Sequence, residues 1–260
     1  MLSLIFSKIL PAIFAFAIGM GIGSCVTLAY WRLPKGETVS GKWQGGKRAH
    51  CPSCNVKLRT RDLVPIFNWL VTRGHCHNCG VAINPVYFFI ELSCALASLA
   101  TYLAFGFSDS FFVIYGMCVC LILLAATDYS FRVFPDAILV TFIMFASLYR
   151  VLLDHQLLNM LEQFVFTVML LVMAEQAYIK LFKREFYGIR YMKLLAAASL
   201  CLPLPAYADF LLVSFCLLPV TALFGQYGKK SHGIVLAAAL TLHLFYPMVV
   251  WDVLGINPYI

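Results

Sequence analysis

Charged side chains are scarce in this sequence: they make up 12% of 260 residues, against 62% hydrophobic, and the mean hydropathy is +0.86. A soluble domain of this size carries about 25% charge to keep its surface wetted, so that class is excluded. Acidic residues are scarcer still, twelve Asp and Glu against nineteen Lys and Arg. No internal repeat or low-complexity tract interrupts the chain, and no Gly-rich dinucleotide fingerprint is present to place a nucleotide-like cofactor by motif.

What the chain does have is long apolar runs. Windows of about 17 to 25 residues fall at 4–30, 86–106, 111–128, 136–153, 160–182, 191–206, 207–225 and 233–253. The expectation is an all-α, polytopic membrane bundle of about eight spans. Its weakest division lies at Leu204-Pro205-Ala206, where two short spans meet in a Pro-containing turn. With the N-terminus outside, seventeen of the nineteen Lys and Arg fall in inner loops and only Lys8 and Arg150 fall outside. The positive-inside rule then puts both termini on the periplasmic side, and reads the net +7 as loop bias rather than a nucleic-acid surface. The opening apolar run is too long for a cleaved signal peptide and leads straight into Tyr30-Trp31-Arg32, so retention is expected. The expected organisation is a first transmembrane helix over 1–31, a cytosolic loop over 32–85 and a transmembrane helical domain over 86–260.

Within that basic loop stand two Cys-x2-Cys pairs, Cys51/Cys54 and Cys76/Cys79. A folded-back loop lets four thiolates share one tetrahedral Zn2+ with no open position, which makes the metal structural rather than catalytic. Disulfides are the competing reading, disfavoured on a reducing cytosolic face. His50, His75 and His77 crowd the motif but are not needed as ligands. The other six cysteines, Cys25, Cys94, Cys118, Cys120, Cys201 and Cys216, lie in apolar spans as small packing residues.

Ionisable groups at span ends come next, because burying them is costly. Asp128 reads either as a helix-end carboxylate paired with Arg132 or as one of a catalytic pair. Asp136, after Pro135, and Glu91 read as carboxylates favoured by helix N-termini. Glu175 pairs with a nearby base or reaches the inner surface; both remain open. His232, beside Lys229 and Lys230, reads as a solvated turn residue.

Together these blocks resemble the bacterial type IV prepilin peptidases. The resemblance runs through Gly23-Ser24-Cys25 to Arg32-Leu33-Pro34, then Asp62-Leu63-Val64-Pro65, Asn68-Trp69-Leu70, Arg73-Gly74 and the two Cys pairs. It continues in Tyr87 to Glu91-Leu92 and in Asp128 with Phe134-Pro135-Asp136. It implies an enzyme of the bacterial inner membrane, serving type IV pili or type II secretion. Such an enzyme cuts the basic leader of prepilins or pseudopilins as an aspartic protease, then methylates the new N-terminus from S-adenosylmethionine. The zinc loop would cap or orient the substrate surface. Asp128 matches the family's first aspartate. The second, in a Gly-rich motif ending Gly-Asp, is replaced: the stretch reads Gly188-Ile189-Arg190-Tyr191, with Tyr191 at the aspartate's place. A phenol of pKa about 10 cannot be the ionised member of an acid pair, and Arg190, if it meets Asp128, would hold it ionised. Three readings stay open: a working peptidase whose second acid is Glu185, Glu175 or Asp136; a peptidase-inactive relative that binds prepilins; and an unrelated zinc-bearing membrane protein such as a transporter.

Overall fold

The computed structural model describes residues 6, 9–36, 51, 53–57, 64–154, 157–183, 188–217 and 233–254. Asp62, Glu185, His50 and His232 therefore lie outside the described residues. Among the described residues the chain is helical, with an isolated antiparallel bridge between His75 and Ala82. The helices are α1 (Leu10–Arg32), α2 (Phe67–Val71), α3 (Pro85–Phe105), α4 (Asp109–Phe131), α5 (Asp136–Asp154), α6 (Leu157–Phe182), α7 (Gly188–Cys201), α8 (Leu204–Leu217) and α9 (Gly233–Leu254).

Every expected apolar window contains a helix, but four segments among the described residues are long and apolar enough to cross a membrane: Leu10–Lys35, Pro85–Phe105, Asp109–Phe131 and Leu158–Leu181. The described parts of α7 and α8, fourteen residues each, cover about 21 Å at 1.5 Å per residue, less than a hydrocarbon core. The break between them falls at Leu202-Pro203, earlier than expected. Pro205 sits in the first turn of α8, where its missing N–H costs no helical bond. Tyr207 of α8 donates to the Leu195 carbonyl of α7 (3.1 Å), which folds the pair together.

The chain divides into two compact units, Met1–Leu103 and Ala104–Ile260. In the first unit α1 lies against α3 along Ala15, Gly19 and Gly23, a stripe of small residues four apart. A Cβ on Gly19 would come within 2.7 Å of the Ala95 Cα, and one on Gly23 within 2.8 Å of the Glu91 Cα. Close backbone approach through small residues is how helices associate in lipid, where no hydrophobic drive exists between them. Ser98 adds a buried hydrogen bond to the Ala15 carbonyl (2.7 Å). In the second unit α4 is the most enclosed of the four candidate spans. It packs against α5 and α9, while α7 packs against α5 and α6. Ser108 caps α4 by accepting from the Phe111 amide (3.4 Å).

Candidate functional site

Two constellations carry chemistry, one in each unit. In the first, the Sγ atoms of Cys51, Cys54, Cys76 and Cys79 all lie within 4.8 Å of one another. The Cys51 and Cys79 sulfurs are 3.9 Å apart. Tetrahedral zinc with Zn–S of about 2.3 Å requires sulfurs about 3.8 Å apart, so the donor set fits that ion. The backbone builds both halves alike. Residue four after the first cysteine of each pair has positive φ, +54° at Asn55 and +70° at Gly80. In each half that residue's N–H donates to the first cysteine's carbonyl (Asn55 to Cys51 and Gly80 to Cys76, both 2.9 Å). The first cysteine's own N–H then closes the turn on Val56 (3.0 Å) or Val81 (2.8 Å). Asn and Gly are the residues that tolerate this left-handed geometry.

The thiols are electrostatically uneven. Cys54 is lowered to about 6, first by a backbone hydrogen bond at Val56 and then by Asn78. Cys76 is also lowered, by backbone hydrogen bonds at Cys79 and Asn78. At Cys79 a backbone hydrogen bond at Val81 works downward, but desolvation and the neighbouring sulfurs prevail and push it up to about 11. His75 does not join the ligand set; its Nδ1 is 2.8 Å from the Arg73 carbonyl.

The module is tied to α3. Ile66 adopts φ +63°, ψ −55°, a tight γ-turn closed by the Phe67 amide on the Pro65 carbonyl (2.6 Å). That conformation is strained for a β-branched residue. Its own N–H is held by the Glu91 carboxylate at 2.8 Å. Glu91 was expected at its helix's N-terminus. Instead α3 begins at Pro85, so Glu91 lies in the second turn and serves the loop, because the loop leaves a backbone donor there. Trp69 stacks on Phe88 (4.8 Å) and fills the space above Gly74, whose Cβ would meet the indole at 2.9 Å.

In the second unit Asp128, fully buried, sits in the last turn of α4. Its Oδ1 accepts from Arg190 Nη1 (3.2 Å), and Tyr191 Oη lies 3.2 Å from Oδ1 and 3.1 Å from Oδ2. Its Oδ2 also accepts from the backbone amide of Gly233 (3.0 Å), the first residue of α9. Arg190 Nη1 also donates to the Arg132 carbonyl. Arg132 itself ends α4 in the left-handed conformation, φ +59°, with its amide on the Asp128 carbonyl (3.1 Å). Helix-end pairing of Asp128 was expected with the neighbouring Arg132; the structure also brings the Arg190 guanidinium, from α7, onto its carboxylate. Phe134 packs edge-on to the Tyr191 ring at 5.6 Å.

Arg190, Tyr191 and Gly233 all meet the carboxylate as donors, the pattern an ionised acid accepts. A carboxylate at a helix C-terminus opposes the dipole; here the guanidinium and the N-terminus of α9 offset it. Gly233 is required by space, since a Cβ there would come within 2.7 Å of Asp128 Oδ2. Nothing in the sequence pointed to it, because a backbone amide 105 residues away carries no side-chain signature. Asp136 opens α5 as expected, but it is exposed and bonded to Lys193 Nζ at 2.7 Å. Glu175 is buried on α6.

Among the described residues these features define the class: a helical protein with four segments long and apolar enough to cross a membrane, a four-cysteine cluster able to hold a metal ion in one unit and a buried, caged carboxylate in the other. Residues 17–105 match the family described as the bacterial peptidase A24 N-terminal domain, and the chain resembles the type IV prepilin peptidases. It is 31% identical over 137 residues to the prepilin leader peptidase/N-methyltransferase of Bacillus subtilis, covering 53% of each chain. It is 30% identical over 131 residues to the type 4 prepilin-like proteins leader peptide-processing enzyme of Escherichia coli, covering 45% of this chain and 49% of that one. To the Vibrio cholerae prepilin leader peptidase/N-methyltransferase it is 27% identical over 136 residues, covering 51% and 53%. The matches thus span about half the length of these curated relatives. No solved structure matches.

Proposed function

We propose that this chain works with type IV prepilins or pseudopilins at the bacterial inner membrane but lacks the two-aspartate hydrolysis the family resemblance implies. The observation that carries the reading is the surroundings of Asp128. Aspartic hydrolysis needs one carboxylate to take a proton from water while a protonated partner acid polarises the scissile carbonyl. Here a guanidinium, a phenol and a helix N-terminus crowd the carboxylate at 3.0 to 3.2 Å. Asp136, one candidate for a relocated second acid, is engaged with Lys193 instead. Prepilin binding, with or without methyl transfer from S-adenosylmethionine, is the activity left to such a chain. The zinc loop faces the cytosol in this reading, both termini face the periplasm, and zinc supports the loop's fold rather than the chemistry.

The test is a cleavage assay in proteoliposomes with a prepilin from the same cell. The unmodified chain and Asp128→Asn leave the prepilin intact, and the double substitution Arg190→Gly with Tyr191→Asp gains cleavage. Cleavage by the unmodified chain that disappears in Asp128→Asn would overturn the reading and assign the second acid to another residue. Labelled methyl incorporation into a pre-cleaved pilin measures the methyltransferase arm separately.

A further inference from the structure

The zinc module presents an apolar face that its own fold does not use. Val64, Phe67, Leu70 and Val71 are 44%, 55%, 52% and 81% exposed, clustered on and just before the five-residue helix α2. Four large apolar side chains standing out together from a module that buries Ile66 and half-buries Trp69 against Phe88 are not the scattered exposure of an ordinary surface. Two further observations fix what covers them.

The first is level. Tyr30, near the end of α1, meets Tyr87, near the start of α3, edge-on at 5.9 Å. The half-exposed Trp31 carries Lys35 Nζ 3.6 Å above its ring. Aromatic rings with a lysine at the ends of two candidate spans mark a membrane–water interface. Trp69, one residue from Leu70, stacks on Phe88 in the first turn of the same α3, and Phe88 meets the exposed Phe89 edge-on at 5.6 Å. The α2 face is thereby held beside the exposed side of α3, near the end of a candidate span. The second is charge. Lys57 and Arg73 are exposed on the same module, within a loop stretch whose sequence is strongly basic, and they complement anionic phospholipid.

We propose that the face formed by Val64, Phe67, Leu70 and Val71 lies in the bilayer interface, with Lys57 and Arg73 on anionic headgroups. The zinc site would then shape a module that rests on the membrane, as a monotopic element does, rather than standing free in the cytosol. The glutamate bond to Ile66 and the Trp69 stack set its angle. This inference is independent of whether Asp128 takes part in catalysis.

The experiment uses the full chain in vesicles of phosphatidylglycerol and phosphatidylcholine, with Phe67→Trp and Val71→Trp made separately. Both positions are exposed, so neither disturbs packing, and an unchanged zinc content verifies the fold. Emission is read against the unmodified chain, which supplies the background of its four tryptophans. The added indole is expected to be blue-shifted, to lose its emission when the acyl chains carry bromine, and to resist aqueous iodide. Iodide-sensitive emission untouched by bromine overturns the proposal. So does a blue shift that develops only when prepilin is added, which would assign the face to a protein partner. Equal quenching in vesicles without phosphatidylglycerol overturns the part given to Lys57 and Arg73.

Discussion

At the residue scale, Asp128 shows how a side chain's meaning is set by its neighbours. The carboxylate joins α4 to α7 through Arg190 and Tyr191, and to α9 through the Gly233 amide. Its removal therefore has a structural cost as well as any chemical one. Gly233→Ala drives a methyl into Asp128 and is expected to destabilise the chain by about 1–3 kcal/mol, the range for overpacking, read as a lower thermal midpoint in detergent. Tyr191→Phe removes a hydrogen bond to a buried charged group, and a loss of about 1.5–3 kcal/mol is expected. A midpoint unchanged in both variants would show that the cage does not hold the bundle. The sequence singled out Asp128, Arg190 and Tyr191, because ionisable and phenolic groups in an apolar chain stand out. It concealed Gly233, whose contribution is a backbone N–H and an absence of side chain.

At the scale of elements, the four-cysteine module depends on α3 as much as on its cysteines. Glu91→Ala takes the acceptor from the strained Ile66 turn and leaves its N–H without that bond. The expected cost is about 1–3 kcal/mol for the module, measured as weaker zinc retention against a competing chelator. Retention equal to the unmodified chain would show that the turn holds itself. Zinc affinity should also rise with pH. In the metal-free module Cys54, near 6, is already thiolate at neutral pH, while Cys79, near 11, still carries its proton and must release it to bind. Chelator competition at pH 6.5 and pH 8 checks the sign: tighter binding at pH 8, with proton release on metal addition. The Cys-x2-Cys spacing made the ligands legible from sequence alone; the turns at Asn55 and Gly80 that bend each knuckle came from the structure. The tie from Glu91 was not, since a glutamate near a helix start reads first as a charge favoured by its own helix dipole.

At the scale of the whole molecule, charge distribution gives the testable orientation. A phosphatase reporter fused after Leu254 is expected to be active and one fused after Gly45 inactive, if the loop is cytosolic and the last helix returns outward. The reverse pattern would invert the topology. The sequence by itself determined that the chain is helical and membrane-bound, that four cysteines share a site, and which family it resembles. Each of those follows from local quantities: apolar run length, ligand spacing, and short motifs in order. The tertiary structure alone decided what Asp128 touches, that Asp136 turns outward to Lys193, and that α2 leaves an apolar face uncovered. The physical reason is common to all three. Packing brings together groups far apart in the chain, and the partner that settles a buried charge or covers an apolar face carries no mark of that role in its own neighbourhood.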